Sequence, residues 1–562
     1  MASWKVDGRT TSILNPMSYN LFFTMPKLDW LTRSEDEKVS AHVPYRLLEA
    51  VPEHSYGDPT AENMLIQGDN LDALKALLPF YAGRVKCIYA DPPFNTKQAF
   101  AEYDDNLEHT VWLSMMYPAL ELQRDLLSLD GTLFIHIDDN ELGYLIPIAD
   151  EVMGRKNRIA IVTFRQGAAT GHKAINPGLV NVTNFLIIYA RHKPDWKPRR
   201  LFTGRERDKR YNGFIPNRET PCTSWRFQTL SSAFSQSFGK HPSEVKKELG
   251  DAYEETLNEF VISHATQVIQ PVRPDFDAVS EAAQAMITES RQHPSQVYLL
   301  KRDGFSDMYF KGGQRLIFYK EKLKEIDGAW IAGEPLTTLW DDLLSNNLHK
   351  EGGVELPKSK KPEALVKRVF DLSTSPNDLV LDAYLGSGTT AAVANKMGLK
   401  YIGIERGEHA VTKCLPRLKA VVDGEQSGIS KAVKWQGGGG FHFYKLGSPV
   451  FDEEGRINPA VRFAHLAAHV WFAETRTPLP HPRRRSPLLG VHVGVGYYLL
   501  FNGILGDKRP DGGNVLTRRL LAELPAHDGP NVIYGESSRL SKESLLRLGI
   551  TFKQTPYDVK AR

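Results

Sequence analysis

Short apolar runs recur along this chain, and stretches with helical spacing separate them. The first run is Met64-Leu65-Ile66, and Leu71, Leu74 and Leu78 follow it at the spacing of one helix face. Later runs cover residues 85–90, 133–137, 185–190, 379–381 and 401–404. Short strands that alternate with helices are typical of a parallel sheet covered on both faces. The pattern therefore predicts an α/β fold, in which ligands bind beyond the carboxyl ends of the strands.

Two breaks in this alternation predict a division of the chain into five parts. Residues 195–335 mix basic and aromatic side chains, and four glycines at 437–440 precede a tail with its own strand and turn signals. The five parts are an irregular N-terminal arm (1–60), a first half of the sheet (61–194), an inserted region (195–335), a second half of the sheet (336–425) and a small α+β C-terminal domain (426–562).

Composition narrows the class of protein without naming a function. Of the 562 residues, 41% are hydrophobic and 24% are charged, which is ordinary for a globular protein. Apolar runs of membrane-spanning length and a signal-peptide core are both missing from the sequence, so we expect no membrane span and a cytoplasmic protein. The three cysteines lack metal-ligand spacing. The net charge of +3 does not by itself indicate a nucleic-acid-binding protein, so any such binding would depend on local basic patches.

Asp91-Pro92-Pro93-Phe94 ends the second apolar run and is the first candidate for chemistry. Such a loop can bind and activate an exocyclic amino group, for example the 6-amino group of adenine. That group is a poor nucleophile, because its lone pair is delocalised into the ring. A carboxylate and a backbone carbonyl can localise that lone pair by accepting both N–H bonds, and two prolines fix the loop that carries them. An aromatic ring at the fourth position can stack on a base extracted from a duplex. A simple proline turn after a buried strand is the competing interpretation.

Residues 382–390 form the second candidate, a glycine turn between a strand and a helix. Gly386 and Gly388 permit a tight turn, and the helix that follows favours an anionic group at its N-terminus. Glu405 ends the next apolar run, where a carboxylate can accept hydrogen bonds from ribose hydroxyls. The turn departs from the dinucleotide fingerprint and lacks the Gly-Lys-Ser/Thr of a P-loop, which disfavours nicotinamide and ATP.

Together these motifs resemble those of type III restriction-modification Mod subunits, DNA adenine-N6 methyltransferases of the β subclass. In that subclass the catalytic motif precedes the cofactor motif, as it does here. The matching positions are Gly68 to Leu71, Asp91 to Thr96, Trp112-Leu113, Leu126-Leu127, Ile137 to Glu141, Trp340 to Asp342, Lys361-Pro362, Gly386 to Thr390, Glu405, Ile533 to Gly535 and Pro556 to Asp558. The resemblance implies a Rossmann-like methyltransferase sheet in permuted order, with catalytic and cofactor-binding halves and an inserted target-recognition domain.

The resemblance also implies a role for each motif residue. Asp91 and the Pro92 carbonyl would hold the adenine amino group, beside Pro93, and Phe94 would stack on the flipped base. The cofactor would be S-adenosyl-L-methionine, bound by Asp69, Lys361, Pro362, Asp382, Gly386, Ser387, Gly388, Thr389, Thr390 and Glu405. Phe94 stands where the family more often has Tyr, and Ala383-Tyr384-Leu385 replaces a commoner pattern. Asp rather than Ser before the two prolines favours adenine over cytosine.

Double-stranded DNA is the expected substrate, and residues 195–335 are the expected region that reads it. Arg199, Arg200, Arg205 and Arg207 are candidate DNA contacts, as is the cluster Arg483-Arg484-Arg485. The competing interpretation for each is a solvated basic face. We expect His136 to be structural, and Asp138, Asp139 and Glu141 to be solvated or at a pocket rim rather than ligands of a metal.

Three alternatives remain open from sequence. A cytosine-N4 methyltransferase would need the same loops, and a specificity subunit could keep the fold for DNA binding with little catalysis. An RNA substrate is disfavoured by the resemblance alone. The resemblance further implies a homodimer and a Res helicase-nuclease partner.

Overall fold

The computed structural model describes residues 26–95, 108–167, 178–326, 328–343, 348–353, 360–452, 456–481 and 485–555. Several positions that carry expectations lie outside these ranges, namely the first 25 residues, Thr96, Arg483, Arg484 and residues 556–558.

The helices and strands of the described residues follow in chain order. The helices are α1 (Arg33–His42), α2 (Asn70–Tyr81), α3 (His109–Leu126), α4 (Asp139–Met153), α5 (Leu230–Gln236), α6 (Pro242–Leu249), α7 (Tyr253–Ser263), α8 (Glu281–Gln292), α9 (Glu363–Ser373), α10 (Thr389–Lys396), α11 (Leu415–Val422), α12 (Phe463–Thr475), α13 (Arg518–Glu523) and α14 (Lys542–Arg547). The strands are β1 (Arg46–Ala50), β2 (Tyr56–Gly57), β3 (Met64–Gln67), β4 (Val85–Ala90), β5 (Leu127–Ile137), β6 (Arg158–Arg165), β7 (Thr183–Ala190), β8 (Phe202–Gly204), β9 (Gly213–Phe214), β10 (Gln228–Thr229), β11 (Val268–Val272), β12 (Tyr298–Leu300), β13 (Met308–Lys311), β14 (Gln314–Phe318), β15 (Leu323–Ile326), β16 (Ala329–Pro335), β17 (Leu339–Trp340), β18 (Leu379–Asp382), β19 (Lys400–Glu405), β20 (Gly440–Pro449), β21 (Leu488–His492), β22 (Val495–Leu499), β23 (Val515–Leu516), β24 (Asn531–Gly535), β25 (Ser537–Ser538) and β26 (Ile550–Gln554).

The largest sheet runs β1-β20-β3-β19-β18-β4-β5-β7-β6-β17, with β2 paired to β20 at one side. Its centre, from β3 to β5, is parallel. Strand β7 pairs antiparallel with β5 and β6, so the sheet is mixed rather than purely parallel. The predicted α/β fold with a Rossmann-like sheet is confirmed.

Both faces of this sheet are buried, which explains why its strands read as unbroken apolar runs. In β4, Ile88 and Ala90 face a core shared with α2, α3 and α4, while Cys87 and Tyr89 face a core shared with α9, α10 and α11. Successive strand residues point to opposite faces, so each needs an apolar side chain when helices cover both.

The central pairing joins two segments that are far apart in the chain. Strand β18 lies parallel to β4, with Val380 opposite Cys87 and Leu381 opposite Ile88. The carboxyl ends of these strands therefore lie side by side, and Asp91 and Asp382 end up at the same edge of the sheet. The order of strands changes direction at this point, which is where ligands bind in open α/β sheets.

The region of residues 195–335 builds sheets of its own. One has the antiparallel order β10-β9-β11-β14-β13-β12, and a second has the order β15-β16-β8. Helices α5 and α7 pack in this region around Phe214, Phe234 and Val261. An inserted unit with its own core therefore separates the two halves of the main sheet.

The main sheet is wider than the sequence indicated at both ends of the chain. Strand β20 pairs parallel with β3 and antiparallel with β1, although we expected residues 440–449 in a separate domain and residues 46–50 in an irregular arm. Leu47 and Phe443 are buried by this pairing. Long-range strand pairing decided these positions, and it leaves little local signal.

The tail beyond β20 forms a parallel and antiparallel sheet in the order β21-β22-β24-β26. Helix α12 connects it to the main core, because Leu466 and Trp471 share a cluster with residues of α2. The described helices include none with the length and apolar content needed to cross a membrane.

Candidate active site

One edge of the main sheet collects the predicted catalytic and cofactor residues. Asp69 follows β3, Glu405 ends β19, Asp382 ends β18 and Asp91 follows β4. Because these strands are parallel neighbours, their carboxyl ends form one continuous rim. Motifs that stand hundreds of residues apart in sequence are therefore adjacent in space.

Asp91 sits in a nearly closed environment with a cation on one side. Its Oδ2 lies 3.0 Å from Lys361 Nζ, and its side chain is only 17% exposed. Burial raises the pKa of the Asp91 carboxyl above its ordinary value, while the Lys361 ammonium opposes that rise. The Lys361 ammonium therefore stabilises the ionised form of a carboxylate that burial disfavours.

His136 supports the catalytic loop from below. Its Nδ1 lies 2.9 Å from the Tyr89 hydroxyl and 3.3 Å from Asp91 Oδ1, and its ring centroid is 5.0 Å from that of Phe94. Asn184 Nδ2 is 2.9 Å from the other ring nitrogen. Burial holds the pKa of His136 well below its ordinary value, so the ring is neutral. His136, which we expected to be structural, therefore also contacts Asp91 and Phe94 of the candidate site.

The end of the catalytic loop is fixed by hydrogen bonds and by one unusual backbone angle. The Trp112 indole donates to the Pro93 carbonyl at 2.8 Å. Asn95 has a φ of 59° and donates through Nδ2 to Glu141 Oε1 at 2.5 Å. Glu141 also lies 2.7 Å from His109 Nδ1. Asn tolerates this left-handed conformation better than most residues.

Two of the three acidic residues that we expected to be solvated or at a pocket rim are buried groups with structural partners. Glu141 is fully buried by its contact with Asn95, and Asp138 caps α4 by accepting from the Asn140 backbone N–H at 3.0 Å. Sequence could indicate the cap, because an Asp before a helix is common. It could not indicate Glu141, whose partner comes from another part of the chain.

The cofactor loop has the geometry of an anion-binding turn. Gly386 and Gly388 adopt φ values of 59° and 82°, which only glycine takes readily. Helix α10 begins directly after them at Thr389, so its N-terminus faces the same edge. Glu405 Oε2 accepts from the Gly386 backbone N–H at 2.7 Å and holds the turn against β19.

Other predicted cofactor residues have clear structural partners. Asp69 caps α2 by accepting from the Leu71 backbone N–H at 2.9 Å. Pro362 precedes α9 as its N-cap residue. Asp382 accepts from the Tyr384 backbone N–H at 2.8 Å, and burial raises its pKa to about 7. Nearby Asp91 and Glu405 add to that rise.

A buried arginine that the sequence did not single out holds the cofactor loop. Arg417 is fully buried and donates to Thr389 Oγ1 at 2.7 Å and to Ser387 Oγ at 3.2 Å. Its other terminal nitrogen donates to Glu363 Oε1 at 2.9 Å, and Lys396 donates to Glu363 Oε2 at 2.8 Å. This ion cluster joins the loop to α9, α10 and α11.

The four arginines proposed as DNA contacts do not form one cluster. Arg199 donates to Ser375 Oγ at 2.8 Å, which places it beside the amino end of β18, opposite the candidate site. Arg205 and Arg207 pair with Glu334 and Glu254 at 2.5 and 3.2 Å. Arg200 lies over the Phe202 ring, 5.5 Å from its centroid.

Arg218 is a cation of the inserted region whose guanidinium is oriented by three aromatic rings. Its guanidinium lies 4.3 to 4.9 Å from the ring centroids of Trp225, Phe318 and Tyr309. It donates to the Tyr309 hydroxyl at 3.1 Å. The sequence hinted at this arrangement only through its interleaved basic and aromatic residues.

Comparison with known proteins identifies related chains. The DNA methylase family description matches residues 85–414. A probable type III restriction-modification enzyme HindVI Mod subunit of Haemophilus influenzae is 33% identical over 419 residues, which cover 70% of this chain and 55% of that protein. The type III restriction-modification enzyme EcoPI Mod subunit of Escherichia phage P1 is 27% identical over 402 residues, or 65% of this chain and 60% of that protein.

The chain spans 55% and 60% of the length of the two Mod subunits. Among solved structures, PvuII DNA methyltransferase (cytosine-N4-specific) is 13% identical, with 64% of this chain and 87% of that one covered and a TM-score of 0.32. The α/β fold of this chain is shown by the order and pairing of its own strands.

The raised pKa of Asp382 predicts a pH-dependent stability. Between the ordinary value of 3.8 and about 7 the folded protein holds a proton that the unfolded chain has lost, so this stabilisation decreases as pH rises through that window. Asp382→Asn cannot ionise. The melting temperature of this variant minus that of the wild type should therefore be higher at pH 8 than at pH 5, by about 3 °C or more. Exposed Asp528→Asn is the control. An equal shift in both variants would contradict the assignment.

The buried ion cluster predicts a second effect. Arg417→Met leaves Glu363 with Lys396 as its one charged partner and removes the hydrogen bonds to Ser387 and Thr389 of the cofactor loop. Breaking a buried pair costs about 3–5 kcal/mol, so the melting temperature should decrease and the cofactor dissociation constant should increase at least tenfold by calorimetry. Arg368→Met removes a surface pair with Asp342 and should change neither strongly. Unchanged cofactor affinity in Arg417→Met would refute the positioning role.

Proposed function

Because the chain belongs to the DNA methylase family, which it matches over residues 85–414, we propose that it methylates the 6-amino group of adenine in duplex DNA. The carrying observation is the parallel pairing of β4 with β18, which sets the Asp91 loop beside the Gly386 loop. An acceptor for an amino group and a turn suited to the carboxylate of a cofactor therefore lie side by side.

The residues present fit S-adenosyl-L-methionine as the cofactor. The positive-φ turn at Gly386 and Gly388 and the N-terminus of α10 suit its carboxylate. We propose that Glu405, at the end of β19, accepts from the ribose hydroxyls. When bound, this cofactor supplies an electrophilic methyl carbon on a sulfonium. We propose that Lys361, Pro362, Asp69, Asp382, Ser387, Thr389 and Thr390 complete the surroundings of that site.

The chain's own groups would carry the transfer by position and charge. Asp91 and the Pro92 carbonyl accept the two N–H bonds of the flipped adenine and localise its lone pair, while Phe94 stacks on the ring. The amino nitrogen held by Asp91 and the Pro92 carbonyl would accept the methyl group from the cofactor held by the Gly386 turn and Glu405. The proton shed by nitrogen passes to the Asp91 carboxylate. Charge that develops on nitrogen is stabilised by Asp91.

We further propose that residues 195–335 recognise the target sequence, with Arg218 as a principal DNA contact. Stacking on three rings holds its planar donor fork in one orientation, which suits bidentate contact with a guanine edge. A role as the modification and recognition subunit of a restriction-modification or phage-defence system follows from the likeness to Mod subunits. A homodimer and a Res helicase-nuclease partner remain predictions.

The function is tested by identifying the methylated base. Purified protein, methyl-labelled S-adenosyl-L-methionine and mixed-sequence duplex DNA should yield labelled adenine after digestion. Asp91→Ala should lower the transfer rate by at least about 10²-fold, since it removes the acceptor that stabilises the charge on nitrogen, while DNA binding persists in a gel-shift assay. Exposed Asp528→Asn is the matched control and should methylate normally.

Other outcomes lead to different conclusions. Labelled cytosine would show that the target base is cytosine rather than adenine, with the same fold and mechanism. Wild-type methylation by Asp91→Ala would remove Asp91 from the mechanism. DNA binding without any label from the wild type would support a specificity subunit with little catalysis, and label in RNA alone would overturn the substrate.

The recognition proposal has its own test. Arg218→Ala should relax the methylated sequence at one base position, at a cost of about 1–3 kcal/mol for a lost bidentate contact. Sequencing of a methylated random library measures this change, and exposed Arg226→Ala is the control from the same region. An unchanged sequence profile with normal affinity would exclude Arg218 as a base contact.

A further inference from the structure

Lys361 occupies the space that the proposed target base needs. Its ammonium donates to Asp91 Oδ2 at 3.0 Å and lies over the Phe94 ring, 4.6 Å from the centroid. These are the two surfaces assigned to the adenine in the proposed function, one for its amino group and one for its ring. The inference below therefore rests on that function.

The base and the ammonium cannot share this position. Stacked rings have centroids about 4.5–7 Å apart, and the Lys361 nitrogen lies within that same layer above Phe94. A carboxylate oxygen that accepts an ammonium hydrogen at 3.0 Å also has little room for an adenine amino group at the same point. Entry of the base requires the side chain of Lys361 to leave.

We propose that Lys361 is a placeholder for the target base. In the free protein its side chain occupies the Asp91 and Phe94 surfaces, and it leaves them when adenine enters. An ammonium imitates the amino group that it precedes, because both are nitrogen donors to the same carboxylate. It also replaces the stacked ring through a cation–π contact. The empty base site thus keeps a partner for its buried carboxylate.

The backbone around Lys361 lets the side chain move alone. The Lys361 carbonyl accepts from Thr389 Oγ1 at 3.4 Å, and α9 begins two residues later at Glu363. Glu363 is in turn held by Arg417 and Lys396. The lysine side chain is long and flexible, and its anchor lies beside the cofactor turn.

This location gives the released ammonium a destination when the cofactor is bound. The cofactor's carboxylate would lie at the turn that contains Gly386 and Thr389, next to the Lys361 backbone. Movement of Lys361 from Asp91 to that carboxylate would exchange one charged partner for another. Cofactor binding would therefore favour entry of the base, without any change in the fold.

The test measures base extrusion in the full-length protein. The duplex carries 2-aminopurine beside the target adenine, within the sequence mapped by methylation of a random library or by selection of bound duplexes. Its fluorescence rises when the neighbouring adenine leaves the stack. Each protein is saturated onto this duplex, without cofactor and then with S-adenosylhomocysteine.

Lys361→Gln removes the charge, Lys361→Arg retains it, and Lys367→Gln alters a surface pair with Asp371 on the same helix as a control. Wild type, Lys361→Arg and Lys367→Gln should show low fluorescence alone and an increase with S-adenosylhomocysteine. Lys361→Gln should show about a threefold or greater increase without cofactor and little further response, because its base site is already vacant.

Two results would overturn the proposal. Wild-type fluorescence in Lys361→Gln with weaker S-adenosylhomocysteine binding would make Lys361 a cofactor ligand only. A lower melting temperature with no rise in fluorescence would make it merely structural. Methyl transfer to adenine by the wild type, measured in the same preparation, tests the proposed function separately from either result.

Discussion

The parallel pairing of β4 with β18 is the constraint on which the candidate site depends. Through it, Ile88 lies opposite Leu381 although the whole inserted region separates them in the chain. The pairing is buried on both faces by helices, which makes it a rigid centre of the sheet. Because both strands end at the same edge of the sheet, the Asp91 loop and the Gly386 loop begin side by side.

The same edge concentrates buried charge, and the structure offsets it with cations. Asp91 has Lys361 as its partner, and Glu363 has Arg417 and Lys396. Asp382 lacks such a cation among its described partners, and burial accordingly raises its pKa to about 7. Removal of a buried carboxylate's partner is costly, so these pairs fix the positions of both loops. They also make the site sensitive to which ligand is present.

Sequence predicted the parts of this arrangement that have local causes. The runs at 85–90 and 379–381 are apolar because both faces of their strands are covered, and glycines at 386 and 388 mark a turn that needs positive φ. Partners from distant segments left no such signal. Arg417 reads as one basic residue on a helix, and Glu141 as one acidic residue near a helix start.

Strand β20 and the inserted region are two further places where the sequence did not predict the position of a segment. Pairing with β3 drew residues 440–449 into the main sheet, whereas Arg199, chosen for its basic surroundings, lies at the opposite edge. Charge pattern predicts a surface but does not say which way that surface faces. Positions that depend on long-range packing therefore needed the structure.

The most direct test of the central claim is a crystal structure with S-adenosylhomocysteine and a duplex that contains the recognised sequence. We expect an adenine extruded onto Phe94, its amino group on Asp91, and the cofactor bound at the turn that contains Gly386. A cofactor bound away from this turn, or a target base that contacts neither Asp91 nor Phe94, would contradict it.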